Sequence, residues 1–182
     1  MCGFTAVFSR NRNFLSQINL TKISDLQHHR GPDSKGYISE QNGFMFHNRL
    51  KIIDISNKSN QPFVSKSSGN VIIFNGEIYN YKELRKILKN RKFYTNSDTE
   101  TILYLYEKYG DKFINKLNGI FSLVIFDKKR NLLFSARDRF GVKPLYYFID
   151  KEKIIYSTEI KSILAINKYY SLNFNEIKNY IS

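Results

Sequence analysis

Cys2 is the only cysteine in the 182-residue chain, and it directly follows the initiator methionine. Removal of Met1 would make it the amino-terminal residue. Its thiol would then lie beside its own base, the α-amine. The reference pKa of that amine is about 7.7–8.0 and that of a thiol about 8.5. At neutral pH part of the amine is uncharged and can accept the thiol proton, directly or through a water. One residue then supplies both nucleophile and base. The plain alternative is a chance cysteine on a disordered terminus. The apolar, β-rich run Gly3-Phe4-Thr5-Ala6-Val7-Phe8 argues against it, because such a run buries the terminus in a sheet.

Three further places carry groups that a reaction at Cys2 would need. Asn75-Gly76-Glu77 follows the apolar run Val71–Phe74. An Asn side-chain NH₂ beside a Gly backbone N–H makes an oxyanion hole for a tetrahedral intermediate. The same residues also make an ordinary Asn-Gly turn, and on this triplet alone the turn is the better account. Arg49 can clamp a carboxylate with two parallel hydrogen bonds, although a lone arginine is usually a surface charge. Asp98, in Ser97-Asp98-Thr99-Glu100, reads as a helix N-cap or first-turn acid, and it could equally hold an ammonium. One arginine with Glu77 and Asp98 is the set that an α-amino acid's carboxylate and ammonium require. His29 and His47 read as structural hydrogen-bonding residues, because the terminal amine already fills the base role.

The elements that must position these groups follow from periodicity and punctuation. A helix is expected over Phe14–Gln27, with Phe14, Ile18, Ile23 and Leu26 on one broad face. Gly31-Pro32 stops the chain after it. Lys35–Ser39 and Gly43–His47 read as a hairpin turning at Gln41-Asn42-Gly43. Leu50–Ile55 and Val71–Phe74 read as strands. Helices are expected over Tyr79–Lys89, Thr99–Tyr109 and Asp111–Leu117, with Ile102, Leu103, Leu105 and Tyr106 facing inward. Strands Ile120–Phe126 and Leu132–Ala136 follow, then Leu145–Ile149 and Lys153–Ser157. Helices near Glu159–Ala165 and Asn173–Ile181 come last. Antiparallel hairpins with helices in separate blocks predict an α+β fold, with sheets packed between helices.

Composition narrows the classes. The chain is 42% hydrophobic and 15% aromatic, enough for one real core. No stretch approaches the roughly 18 continuous apolar residues of a membrane span, and no signal-peptide pattern follows the first strand. The expectation is therefore a cytoplasmic protein with no membrane partner. One cysteine excludes an internal disulfide, and His and Cys do not cluster as a metal site. The net charge of +13 is spread along the chain in short runs such as Lys89-Asn90-Arg91-Lys92. It reads as solvated surface, with no nucleic-acid partner.

Taken together, these stretches resemble the N-terminal domain of glutamine-hydrolysing asparagine synthetases, a class II (N-terminal nucleophile, Ntn) glutamine amidotransferase. The resemblance is carried, in order, by Met1-Cys2-Gly3-Phe4, His29-Arg30-Gly31-Pro32-Asp33 and His47-Asn48-Arg49-Leu50. It continues through Phe74-Asn75-Gly76-Glu77-Ile78-Tyr79-Asn80, Ser97-Asp98-Thr99-Glu100 and Ala136-Arg137-Asp138-Arg139-Phe140-Gly141-Val142-Lys143-Pro144-Leu145-Tyr146. Arg49-Leu50-Lys51-Ile52-Ile53-Asp54 has the asparagine-synthetase form of its motif rather than that of other class II branches.

The resemblance implies the four-layer α/β/β/α sandwich of the Ntn hydrolases, with two antiparallel sheets between helix layers. It implies Cys2 as nucleophile, and Asn75 with the Gly76 amide as oxyanion hole. It implies Arg49, with the backbone of Leu50, Lys51, Ile52 and Ile53, at the glutamine α-carboxylate, and Glu77 and Asp98 at its ammonium. The glutaminase reaction itself would use no cofactor or metal. ATP and Mg²⁺ would serve a synthetase domain in the same or a separate chain, which converts aspartate to asparagine. Residues 1–182 would be one type-2 amidotransferase domain, with Met1 removed and its C-terminal edge incomplete. Other readings are an inactive remnant, a glutamine-binding regulatory module, or a glutaminase half serving a non-aspartate acceptor. A homodimer is left open.

Overall fold

The computed structural model describes residues 1–167 and 171–181. Ser182, the end of the expected domain, lies outside the described residues. Two antiparallel sheets face one another. The first runs in the order β2 (Ser34–Glu40), β3 (Gly43–Arg49), β1 (Gly3–Ser9), β9 (Lys153–Ser157), β8 (Tyr146–Ile149). The second runs β4 (Phe63–Val64), β5 (Val71–Ile78), β6 (Gly119–Asp127), β7 (Leu132–Arg137).

Alternation along the strands sorts the apolar side chains into layers. Phe4, Ala6, Phe8 and Met45 of the first sheet meet Val71, Ile73, Val124 and Phe126 of the second. The opposite residues of the first sheet, Val7, Phe44, Phe46 and Ile155, pack on Ile23 of α2 (Leu20–Gln27) and on Ile163 and Ile166 of α5 (Ile160–Ile166). The outer face of the second sheet, Ile72, Phe74, Leu123 and Ile125, packs on α3 (Tyr81–Ile87) and α4 (Asp98–Tyr109) through Leu84, Ile102, Leu103 and Leu105. The order helix, sheet, sheet, helix is the expected sandwich. No helix among the described residues is long and apolar enough to cross a membrane.

Several expected boundaries shift for local reasons. The helix expected over Phe14–Gln27 is two, α1 (Arg12–Ser16) and α2, because Asn19 is extended and its side chain caps Lys22 N at 2.9 Å. Asn11 caps α1 in the same way. The strand expected over Leu50–Ile55 does not form, and those residues are irregular. The expected Asn75-Gly76 turn is absent too, because both residues continue β5, opposite Ser122 and Phe121. A Cβ on Gly76 would stand 2.2 Å from Ile120 O, so glycine is required by the approach of β6. Strand β4, only two residues long, was not anticipated. The final helix, α6, spans Phe174–Ile181 and is exposed.

Candidate active site

The two strands that start and end at the site are held from both sides. β1 lies between β3 and β9, with Gly3 opposite Asn48 and Thr5 opposite Ser157. Phe4 N donates to Thr158 Oγ1 at 3.0 Å, and Thr158 N donates back to Phe4 O at 3.1 Å. Arg30 Nε donates to Cys2 O at 3.0 Å, while its Nη1 pairs with Glu159 at 2.8 Å. The residue bearing the thiol is therefore fixed through its carbonyl. The sequence reading gave Arg30 no role, since its two partners lie far away in the chain.

The Cys2 thiol sits against Leu50, whose N–H donates to Sγ at 3.4 Å. Burial pushes the thiol pKa up, ahead of the lowering effects of Leu50, the terminal amine and Arg49. Burial likewise lowers the pKa of the Met1 amine. Both shifts favour the uncharged pair, a thiol beside a neutral amine, over a thiolate beside an ammonium. With Met1 present, however, that amine belongs to the neighbouring residue. Removing Met1 would put it on Cys2 itself.

Cys2, Arg49, Leu50, Ile52, Ile53, Asn75, Gly76, Glu77 and Asp98 all line one cavity, along with Gln61, Thr99 and Lys143. Of the residues expected to act on or bind glutamine, Lys51 alone does not line it; its N–H donates to Asp33 at 2.8 Å instead. Asn75 is 1% exposed, and its Nδ2 has no hydrogen-bond partner among the described residues. Leaving a buried amide donor unpaired costs about 1–3 kcal/mol, so the position is kept at a cost.

Arg49 is buried, and the loop after it wraps its guanidinium. Nη1 donates to Ser56 O and Asn60 Oδ1, both at 2.9 Å. Nη2 donates to Ile53 O at 3.2 Å and to Asp54 O. Asp54 takes a positive φ of 52° within this wrap. Its own carboxylate accepts from Asn96 N at 2.6 Å and Ser56 N at 3.1 Å. Burial acts to raise that carboxyl's pKa, but hydrogen bonding, from the Ser56 side chain first and then from the Asn96 backbone, wins and holds it well below the usual range. Among the described residues, Nε is the guanidinium group left without a hydrogen bond.

At the other end of the cavity, Asp98 begins α4 behind Ser97, whose Oγ caps the helix at Glu100 N. Asp98 is therefore a first-turn acid rather than the cap. Its carboxylate accepts from Ile78 N at 3.1 Å and Thr99 N at 2.9 Å. Burial raises its pKa to about 6, with the Glu77 charge adding to the rise. Glu77 projects from the exposed end of β5. Two acids therefore sit together, one of them buried and reluctant to ionise: a place where a cation is favoured.

His47 is fully buried and donates Nε2–H to Phe74 O at 3.0 Å. Burial lowers its pKa to about 4, so it is neutral at pH 7. His29 lies against Glu159 at 3.3 Å and is exposed. Asp138 draws the loop beside the site together. It accepts from Phe121 N, Phe140 N, Val142 N and Lys143 N at 3.0–3.1 Å.

The glutamine amidotransferase domain family matches residues 1–182. The chain is 42% identical over 170 residues to asparagine synthetase [glutamine-hydrolyzing] 2 of Bacillus subtilis (strain 168), covering 91% of this chain and 22% of that protein. It is 39% identical over 188 residues to asparagine synthetase [glutamine-hydrolyzing] 1 of the same organism, covering 100% and 29%. The chain thus spans less than a third of the length of either relative. In structure it is similar to glutamine phosphoribosylpyrophosphate amidotransferase from B. subtilis, with a TM-score of 0.70 over 91% of this chain and 43% of that one. At 17% identity that likeness speaks for the fold alone. By the family match over its whole length, and by its identity to these two synthetases, the chain belongs to the glutamine amidotransferase domain family.

Proposed function

We propose that this chain is the glutaminase unit of an asparagine synthetase, hydrolysing L-glutamine to glutamate and ammonia through a thioester on Cys2. Arg49 and the backbone from Leu50 to Ile53 receive the α-carboxylate of glutamine, and Glu77 and Asp98 receive its ammonium. The side-chain amide then lies at Cys2. The thiol proton passes to the terminal amine, the sulfur adds to the amide carbon, and the carbonyl electron pair moves onto oxygen. Asn75 Nδ2 and the Gly76 N–H stabilise that oxyanion. The ammonium returns its proton to the departing nitrogen, and ammonia leaves a glutamyl thioester. Water then adds to the thioester carbon and gives a proton to the terminal amine. The tetrahedral intermediate collapses, the C–S bond breaks, the sulfur takes that proton back, and glutamate leaves.

The observation that carries this reading is the buried, unpartnered Asn75 Nδ2 on the cavity that Cys2 lines. An oxyanion would give that donor its partner only during the reaction, which is where such a contact accelerates chemistry. No cofactor enters these steps. A synthetase domain using ATP and Mg²⁺ would consume the ammonia, with aspartate as acceptor, a reading supported by the two related synthetases.

Two measurements on the full-length protein test the proposal. Active material should lack Met1 by intact mass; retention of Met1 in active protein would sink the terminal-amine mechanism. Cys2→Ala should abolish glutamine hydrolysis yet still bind glutamine by calorimetry. Hydrolysis that survives this substitution removes the nucleophile.

A further inference from the structure

We infer that Gln61 is a positioning residue for the oxyanion hole, setting the aim of Asn75 through the backbone of Phe74. β4 covers the edge of β5 only at Phe63 opposite Ile72 and Val64 opposite Val71. Before Phe63 comes Pro62, which has no N–H to give to a ladder. Continuing the register places residue 61 opposite Phe74. There the Gln61 side chain does what strand backbone would have done. Its Oε1 accepts from Phe74 N at 2.6 Å, and its Nε2 donates to Phe74 O at 3.2 Å. From the other sheet, His47 Nε2 donates to the same carbonyl at 3.0 Å.

That carbonyl belongs to the peptide plane whose nitrogen is Asn75's. Fixing the oxygen end of a rigid plane fixes the other end too. Asn75 Nδ2 has no partner of its own among the described residues, so its direction is inherited from this backbone. An oxyanion donor must meet its oxygen at about 2.7–3.1 Å, a tolerance that a loose strand edge does not meet. Gln61 is 6% exposed, and its Nε2 also lies 3.4 Å from Thr99 Oγ1, next to Asp98. One amide thus ties the strand bearing Asn75 to the helix bearing Asp98.

This inference rests on Asn75 being the oxyanion donor, and a double-mutant cycle in the full-length protein separates the two claims. Gln61→Met keeps the length and loses the amide. Misplacement of a catalytic group by about 1 Å costs about 10²-fold, so kcat for glutamine hydrolysis should fall about 10–100-fold, with KM within about twofold. Asn75→Ala should lower kcat about 10²–10³-fold. In the Asn75→Ala background, Gln61→Met should cost nothing further. A full additional loss there overturns the inference, as does a raised KM at unchanged kcat, which would make Gln61 a substrate contact. Unchanged kcat in Asn75→Ala overturns the oxyanion reading itself and the inference with it. If Gln61→Met does not fold, Gln61→Glu retains the acceptor for Phe74 N and loses the donor to Phe74 O. It should show a smaller loss confined to kcat, and wild-type kcat in that variant overturns the inference.

Discussion

On the proposed reading Asp98 serves binding at the expense of stability, and Asp98→Asn exposes the exchange. Burial is the main reason its pKa is raised from 3.8 to about 6, against the hydrogen bonds from Ile78 N and Thr99 N. A carboxyl whose pKa is raised by folding is more easily ionised in the unfolded chain. Its stabilising contribution is full below about pH 3.8 and is lost as pH rises through about 6. The rise of about two pKa units corresponds to about 3 kcal/mol above pH 6. Asn carries no such penalty. It has one side-chain acceptor where the carboxylate offers two, so it gives up one of the two backbone bonds, a loss of about 1 kcal/mol. The variant should therefore be about 1–2 kcal/mol more stable than wild type at pH 7.5, or about 2–8 °C in Tm. Its advantage should shrink by about 2 kcal/mol on going to pH 4.5, where the wild-type carboxyl is already protonated. Urea melts of both proteins at the two pH values, without ligand, read this directly. Binding should move the other way. The wild-type KM for glutamine should rise as pH falls below about 6, while the variant should have a raised KM that is flat across that range. A stability difference that does not change with pH would refute the claim that this carboxylate is strained. A wild-type KM in Asp98→Asn would remove it from the ammonium site.

Arg49→Lys keeps the charge, but an ammonium has three donors and cannot hold the four acceptors now bound. Its KM for glutamine should rise by tenfold or more, since truncating one partner of a buried pair typically costs about 2–5 kcal/mol. Limited proteolysis should also become faster within the loop 50–60; wild-type KM and wild-type cleavage together would show that Arg49 organises neither ligand nor loop. Gly76→Ala forces a Cβ to within 2.2 Å of Ile120 O, a backbone atom with no rotamer to retreat into. It should destabilise the protein by about 2 kcal/mol or more in urea melts, and a change below about 0.5 kcal/mol would contradict the close approach of β5 and β6.

What was legible in the sequence was local or terminal. Cys2 stands out by its position, and the strands expected over Gly43–His47 and Ile120–Phe126 lie within β3 and β6. At Leu50–Ile55 and at Gln61 the cause is the same: a side chain claims backbone groups that regular structure would have paired. Leu50–Ile55 has the composition of a strand, yet its carbonyls turn toward one guanidinium. Strand carbonyls alternate in direction and could not converge on it, so Arg49 and the expected strand exclude each other. Ile52 and Ile55 are left exposed as a result. Asn75-Gly76 has the signature of a turn, and only the neighbouring strand reveals that glycine is needed for contact rather than for curvature. Gln61 gives no local signal, because its function is to be a strand residue where Pro62 prevents a strand. Arg49 holds the loop lining one end of the cavity, Gln61 the edge of the strand bearing Asn75, and Arg30 the carbonyl of Cys2. Each replaces regular secondary structure with a side chain, and irregular backbone held in this way leaves N–H groups and carbonyls free to turn toward a ligand. The parts hardest to read from the sequence are therefore those that shape the site.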